Sequence, residues 1–242
     1  MNLEYDETPF VAILREAFAN HSNLPERCAI NLAYEVNQED FSDVVEIVSR
    51  CGAREGLVAR LRTTHPVGPN HLGQYDRHFW TVWTEACAFA WAKNVAGFDR
   101  PRFTDDRGKP DLLVGSSMWL EAKTVERSPD ERRALDQMAE ASDRGRPQYR
   151  MTYGFSVPHP TIVKKFNDGL SDALTKLARQ GFGEIIVYFE LDGIDWGTDE
   201  HAALKAIDEW SATESSNTGA RIVVTRGGRW REPLIDHIPP AI

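Results

Sequence analysis

Hydrophobic positions in the first seventy residues recur three or four residues apart, which is the spacing of short amphipathic helices. Thr8 followed by Pro9 marks the first helix start, because threonine caps helices and proline suits their first position. The apolar residues of the four predicted helices are, in turn, Phe10, Ile13, Leu14, Ala17 and Phe18; Ala29, Ile30, Leu32 and Ala33; Phe41, Val44, Val45 and Val48; and Leu57, Val58 and Leu61. Residues 65–73 are rich in proline and glycine, which predicts a linker.

From residue 75 onward the pattern alternates between helices and strands. The turn between the second and third strands is Gly115-Ser116-Ser117, a composition suited to a tight reversal. The predicted elements are helices over 76–95, 128–145, 160–181 and 199–212, and strands over 100–104, 111–114, 118–124, 183–192 and 221–225. This order predicts an α/β fold with a mixed sheet, preceded by a small all-α region. We therefore divide the chain into a helical domain, 1–70, and a second domain, 71–242.

Charge and composition narrow the classes of protein. The 242 residues carry 37 acidic and 28 basic side chains, for a net charge of −9, and 41% are hydrophobic. That balance is typical of a globular protein and excludes disorder throughout. A net acidic chain is an unusual partner for phosphates, yet residues 51–182 hold more bases than acids.

Membrane insertion and disulfide bonding are not expected. The apolar runs fall short of the roughly 18 residues that span a bilayer, and the acidic N-terminus does not resemble a signal peptide. Cys28, Cys51 and Cys87 are an odd number at spacings that match no zinc site. We expect reduced core thiols in a cytoplasmic protein.

The residues that can carry chemistry lie between 107 and 125. Asp111 begins one predicted strand, and Glu121 and Lys123 share a face of the next, because side chains alternate along a strand. The hairpin can bring Asp111 beside Glu121. Two converging carboxylates call for a cation between them, and hard oxygen ligands suit Mg²⁺ or Mn²⁺. A neighbouring lysine can hold a water nucleophile or stabilise charge on a phosphate, which is the equipment for phosphodiester hydrolysis.

The alternative is that Asp111 only begins a strand and that Glu121 and Lys123 form a solvated polar face. Most of this strand is apolar, however, and a Glu-x-Lys pair within it needs a partner. Its apolar residues are Met118, Trp119, Leu120 and Ala122. Motifs of three other enzyme classes are absent from the sequence, namely the phosphate-binding loop, the Gly-x-Ser-x-Gly elbow and the His-Glu-x-x-His helix.

At these residues the chain resembles the PD-(D/E)XK nuclease superfamily. Pro110-Asp111 matches the first half of the motif, and Glu121-Ala122-Lys123 the second. The resemblance covers residues 76–190 and implies a restriction-endonuclease-like core with flanking helices. The elements of that core run in the order helix, three-stranded meander, helix, strand. It also implies metal binding by Asp111 and Glu121, water positioning by Lys123, and a third metal ligand at Glu85 on the first helix. For Glu85 the alternative is an ordinary surface glutamate.

Two further features of the resemblance are weaker. The family often uses a basic or amide residue on the helix after the meander, for which Lys164 or Lys165 is the candidate here. An insertion, residues 126–159, separates that helix from the motif strand and holds arginines that can contact a phosphate backbone. Acidic residues are interleaved with them, which favours a solvated helix over nucleic-acid contact.

Residues 8–70 resemble the effector-associated, death-like helical domains of bacterial conflict systems. This second resemblance rests on helix spacing and the closing Pro-rich segment, and it implies recruitment of a protein partner. The alternative is that these helices simply pack onto the nuclease-like core.

Together these features predict a Mg²⁺-dependent endonuclease that hydrolyses nucleic acid, DNA rather than RNA, in prokaryotic defence against phage. Nucleases of this fold often form homodimers, so a homodimer is a further expectation. One alternative is a non-cleaving module that binds nucleic acid or protein on the same fold, recruited through the N-terminal helices. Another is an enzyme that hydrolyses a different phosphoester, such as a nucleotide.

Overall fold

The computed structural model describes residues 8–19, 38–64, 77–104, 109–125, 159–178, 184–191 and 200–240. The helices are α1 (Pro9–Ala17), α2 (Gln38–Arg50), α3 (Arg54–Arg62), α4 (Arg77–Asn94), α5 (His159–Ala178) and α6 (Glu200–Thr218). The strands are β1 (Arg102–Phe103), β2 (Leu112–Val114), β3 (Met118–Val125), β4 (Ile185–Leu191), β5 (Ala220–Arg226) and β6 (Ile235–His237).

The strands form a six-stranded sheet in the order β1-β2-β3-β4-β5-β6 within the described residues. Strands β1, β2 and β3 pair antiparallel as a meander, β3, β4 and β5 are parallel, and β6 returns antiparallel to β5. The parallel pairs are separated in sequence by α5 and α6, as parallel connections require. The predicted α/β class with a mixed sheet is confirmed.

Most predicted element boundaries agree with the structure. Thr8 caps α1 by accepting a hydrogen bond from the Val11 amide at 3.3 Å, as its sequence position predicts. Gly115 turns the β2–β3 hairpin with a φ of +67°, a conformation that favours glycine. Helix α6 runs beyond its predicted end. Strand β6 was not predicted, because its sequence Ile-Asp-His holds one apolar residue, whereas the equally short β2 is Leu-Leu-Val. The helices predicted near 24–33 and over 128–145, and the linker, lie outside the described residues.

The hydrophobic core has two parts, one on each face of the sheet. Leu120 of β3 and Tyr188 of β4 lie in the cluster formed with α4 and the N-terminal helices. Val125 and Phe189, which point the opposite way from the same strands, lie in the cluster formed with α5 and α6. The alternation of side chains along β3 and β4 therefore puts α4 and α5 on opposite sides of the sheet.

The N-terminal helices pack directly on α4. The Phe41 ring of α2 stacks on Trp83 at 4.6 Å between centroids, and Phe10 of α1 meets the same indole edge-on at 5.0 Å. These rings belong to one cluster that continues to the sheet. This packing agrees with the alternative stated above, in which the helices of residues 8–70 pack onto the core. The division at residue 70 and a recruiting role stay predictions.

Two expectations about cysteines and membranes can be compared with the structure. Cys87 is buried, as predicted, but Cys51 is exposed just beyond the end of α2, so its prediction as a core thiol is wrong. Cys28 lies outside the described residues. Among the helices that the structure describes, none combines the length and apolar character needed to cross a bilayer.

The shared core predicts that a change in α1 destabilises the whole folded chain. Phe10 is fully buried, so Phe10→Ala should lower the free energy of unfolding by about 3–5 kcal/mol. The loss should move one cooperative transition, followed in urea by tryptophan fluorescence and by circular dichroism. Arg15→Ala, on the exposed side of α1, is the control. Two separate transitions, with only one moved, would contradict a shared core.

Candidate active site

Asp111 lies directly before β2, and its side chain turns toward β3. The antiparallel register sets Leu112 opposite Leu120, which brings Asp111 next to Glu121. Asp111 Oδ2 accepts a hydrogen bond from the Ala122 amide at 2.9 Å. The backbone of β3 therefore fixes one carboxylate oxygen of Asp111, and the other oxygen can contact charged groups of the site.

Glu121 and Lys123 lie on the same face of β3, as alternation predicts. Lys123 Nζ is 3.2 Å from Glu121 Oε1 and also forms an ion pair with Asp172 of α5. Burial opposes the positive charge, but the bond to Asp172 and the field of Glu121 outweigh it and raise the pKa of Lys123. Lys123 is thus charged and held between two carboxylates, with about a fifth of its side chain exposed.

Lys176 of α5 joins the two predicted metal ligands. Its Nζ lies 3.2 Å from Asp111 Oδ1 and 2.8 Å from the Glu121 carboxylate. Burial lowers the pKa of Lys176, but the charges of Asp111 and Glu121 outweigh this effect and raise it. A single ammonium therefore occupies the point where the two carboxylates converge.

The sequence missed Lys176 and favoured Lys164 or Lys165 for a basic residue of this helix. Those two lysines lie about 17–18 Å from Lys176 along the α5 axis, toward the start of the helix, at about 1.5 Å per residue. A usable signal was present, because Asp172 and Lys176 are four residues apart and so neighbours on one helix face.

Helix α5 comes close enough to β3 and β4 to deliver these side chains because Gly169 has no side chain. A Cβ at this position would lie 3.0 Å from Phe189 Cε1 and 3.9 Å from Lys123 Cγ. The first distance is tighter than most carbon–carbon contacts, so a larger residue would require Phe189 or the helix to shift by a few tenths of an ångström. The glycine therefore allows the close approach of α5 to the sheet.

Glu121 is the most buried carboxylate of the site, with 2% of its side chain exposed. Desolvation and the charge of Asp111 raise its pKa to about 7, against the opposing pull of Lys176 and Lys123. Lys176 donates to its Oε1 at 2.8 Å, and the same ammonium lies 2.8 Å from the buried Oε2. Both oxygens of Glu121 therefore share one ammonium, which offsets the cost of placing this carboxyl beside a second acid.

Glu85 of α4 approaches from the opposite side of the sheet and is buried, so it is not a surface glutamate. Its Oε2 lies 2.6 Å from Nη1 of Arg60, a residue of α3. Desolvation and the charge of Asp111 raise the pKa of Glu85 to about 8, although Arg60 acts in the other direction. Glu85 therefore belongs to the electrostatic neighbourhood of Asp111 and Glu121.

The donor chemistry of Asp111, Glu121 and Glu85 fits a divalent cation, because carboxylate oxygens are the ligands of Mg²⁺ and Mn²⁺. The convergence of Asp111 and Glu121 on one ammonium supports this fit. In the arrangement described, Lys176 supplies the shared positive charge, and the described side chains include no group of three or more acids, histidines or cysteines set to hold a metal. Metal binding thus stays a prediction.

Comparisons with protein-family models, with curated proteins and with solved structures find no match to this chain. The arginines of the insertion all lie outside the described residues, so their contact with nucleic acid also stays a prediction.

The raised carboxyl pKa values predict that the metal-free protein loses stability as pH rises. In the folded state Glu121 retains its proton up to about pH 7 and Glu85 up to about pH 8. In the unfolded chain both release their protons near pH 4.5. Since the folded state binds more protons, the free energy of unfolding falls across this window. Glu121→Gln should reduce that fall by about 1–3 kcal/mol.

Urea unfolding in chelator, at intervals across this pH window, measures the effect. Glu184→Gln, which changes an exposed glutamate before β4, should leave the fall unchanged. An identical pH dependence in the wild type and Glu121→Gln would contradict the assigned burial.

Proposed function

We propose that this chain is a metal-dependent endonuclease that hydrolyses phosphodiester bonds. The observation that carries the proposal is the convergence of Asp111 and Glu121 on one cation, with Lys123 held 3.2 Å from Glu121. The order helix, meander, helix, strand also agrees with the core that the PD-(D/E)XK resemblance implies. The burial of Glu121, 2% exposed beside a second carboxylate, adds physical support.

Each residue of the site has a role that follows from its position. Asp111 and Glu121 would hold Mg²⁺ or Mn²⁺, with Glu85 as a third carboxylate. The bound ion supplies charge stabilisation for the phosphoryl oxygens and lowers the pKa of water. Lys123, kept charged by Asp172 and Glu121, would orient the attacking water or stabilise charge on the phosphate.

Lys176 adds a second positive charge on the α5 side of the site. In the structure it neutralises the two carboxylates. With a metal ion bound between those carboxylates, its ammonium would be free to bind a phosphate oxygen of the substrate. Because Lys176 and Lys123 come from neighbouring elements, a phosphodiester between them would meet positive charge on two sides.

The substrate class rests on the resemblance rather than on base contacts. We propose nucleic acid, DNA rather than RNA, with prokaryotic defence as the setting, a homodimer as the working form and a cytoplasmic location. Residues 1–70 would recruit a protein partner. The basic balance of residues 51–182, which contain the whole site, supports a polyanionic substrate.

A second candidate is a binding module that does not cleave. Lys176 and Arg60 already neutralise the carboxylates through ion pairs of 2.8 Å and 2.6 Å. Paired in this way, the carboxylates can persist without a metal, which favours a site retained for binding. Tight nucleic-acid binding by a folded wild type, with no metal-dependent cleavage, would support this candidate.

The nuclease proposal predicts cleavage that requires both the metal and Lys123. Supercoiled plasmid, single-stranded DNA and RNA would be incubated with Mg²⁺ or Mn²⁺, and products measured on gels. Lys123→Ala should lower the rate by about 10²–10³-fold, because it removes a charge that acts on the transition state. Chelator should abolish cleavage in the wild type.

Lys205→Ala is the matched control, because Lys205 is an exposed lysine of α6 paired with Glu209. It should cleave like the wild type. Undiminished activity in a folded Lys123→Ala protein would contradict the assignment. Hydrolysis of nucleotides without polymer cleavage would instead support a different phosphoesterase.

A further inference from the structure

An arginine of the N-terminal helices reaches the edge of the candidate active site. Arg60 lies on α3, and its Nη1 donates to Glu85 Oε2 at 2.6 Å. The side chains are 21% and 8% exposed, so this ion pair is largely withdrawn from water. Solvent screens such a pair less than an exposed one, so the pair holds its two side chains in place more strongly.

The other arm of the same guanidinium reaches the end of β1, which is hydrogen-bonded to the segment of Asp111. Arg60 Nη2 donates to the backbone carbonyl of Thr104, which follows β1. Thr104 in turn donates from its amide to the Asp111 carbonyl at 3.1 Å and from its hydroxyl to the Pro110 carbonyl. Arg60 is therefore one residue removed from the Pro-Asp half of the motif.

The packing around Arg60 fixes the direction of its fork. The guanidinium carbon lies 5.2 Å from the centre of the Phe103 ring. One turn earlier on α3, a Cβ at Gly56 would lie 3.4 Å from the same ring, so the helix sits tightly against β1. Arg60 Nε is buried and bonds to none of the described residues, so the side chain bears a desolvation cost for the contacts of its two other nitrogens.

We propose that Arg60 is a positioning residue of the active site, supplied by the N-terminal helical region to hold the Glu85 carboxylate and the Pro110–Asp111 segment in register with each other. The inference rests on the nuclease proposal, because it treats Asp111 and Glu85 as metal ligands. It also gives residues 38–64 a role in the site itself, beyond the recruitment of a partner.

Arginine suits this role better than lysine. Its planar fork donates to two acceptors on different elements, whereas a lysine ammonium is a point charge on a flexible stem. Arg60→Lys should keep an opposite charge beside Glu85 and lose the simultaneous bond to Thr104. Partners that orient metal ligands typically matter by 10–100-fold in metal affinity.

The test measures Mn²⁺ binding by calorimetry to the full chain, and the Mg²⁺ concentration that gives half-maximal cleavage. Arg60→Lys should weaken Mn²⁺ binding by about tenfold and raise the Mg²⁺ requirement, with smaller change in the rate at saturating metal. Arg54→Lys is the matched control on the same helix, because Arg54 pairs with Glu16 of α1 at 2.7 Å. It should match the wild type in both measurements.

The outcomes separate this inference from the nuclease proposal. Equal Mn²⁺ affinity in Arg60→Lys and Arg54→Lys would overturn the role of Arg60 alone. Weakened Mn²⁺ binding in Arg60→Lys, in a protein that cleaves no nucleic acid, would support the positioning role and reject the nuclease. A folded wild type that binds no Mn²⁺ would overturn both.

A more severe substitution at Arg60 provides a second test. Arg60→Met retains the packing on Phe103 but leaves the buried Glu85 carboxyl without its arginine partner, which should lower the urea midpoint of unfolding. The double variant Arg60→Met with Glu85→Gln removes that unpaired carboxyl. If it folds and still binds Mn²⁺ as the Glu85→Gln single variant does, the link from Arg60 to Asp111 is rejected.

Discussion

The burial of Glu121 beside Asp111 is the constraint around which the site is organised. A carboxylate with 2% exposure next to another acid is unfavourable unless positive charge lies within a few ångströms. Lys176 supplies that charge from α5, Lys123 adds to it from the same strand, and Arg60 acts on the neighbouring Glu85. The helices on both sides of the sheet therefore contribute to neutralising one small acidic region.

This constraint ties the fold to the chemistry. The hairpin register sets Asp111 next to Glu121, and the close approach of α5 at Gly169 brings Lys176 and Asp172 to them. The α4 cluster, completed by α1 and α2, fixes the helix that carries Glu85. Each part has a packing reason that does not depend on catalysis, and each delivers one charged group to the same place.

The sequence predicted the local parts of this arrangement and missed the parts that depend on docking. Asp111, Glu121 and Lys123 lie within one hairpin, where strand alternation and a turn decide which side chains meet. Lys176 and Arg60 come from helices whose rotation and height against the sheet are decided by packing across the core. The mixed sheet was predictable from the order of elements, whereas β6 was missed because it holds a single apolar residue.

The Arg60–Glu85 pair also constrains which substitutions such a chain can accept during evolution. Each side chain is the buried ion-pair partner of the other, so replacing either one alone leaves a buried polar group without its partner. Substitutions at the two positions should therefore be inherited together. A different helical region grafted in front of this sheet would have to bring its own cation at the same point. The N-terminal helices are thus coupled to α4 by a buried ion pair as well as by the shared aromatic core.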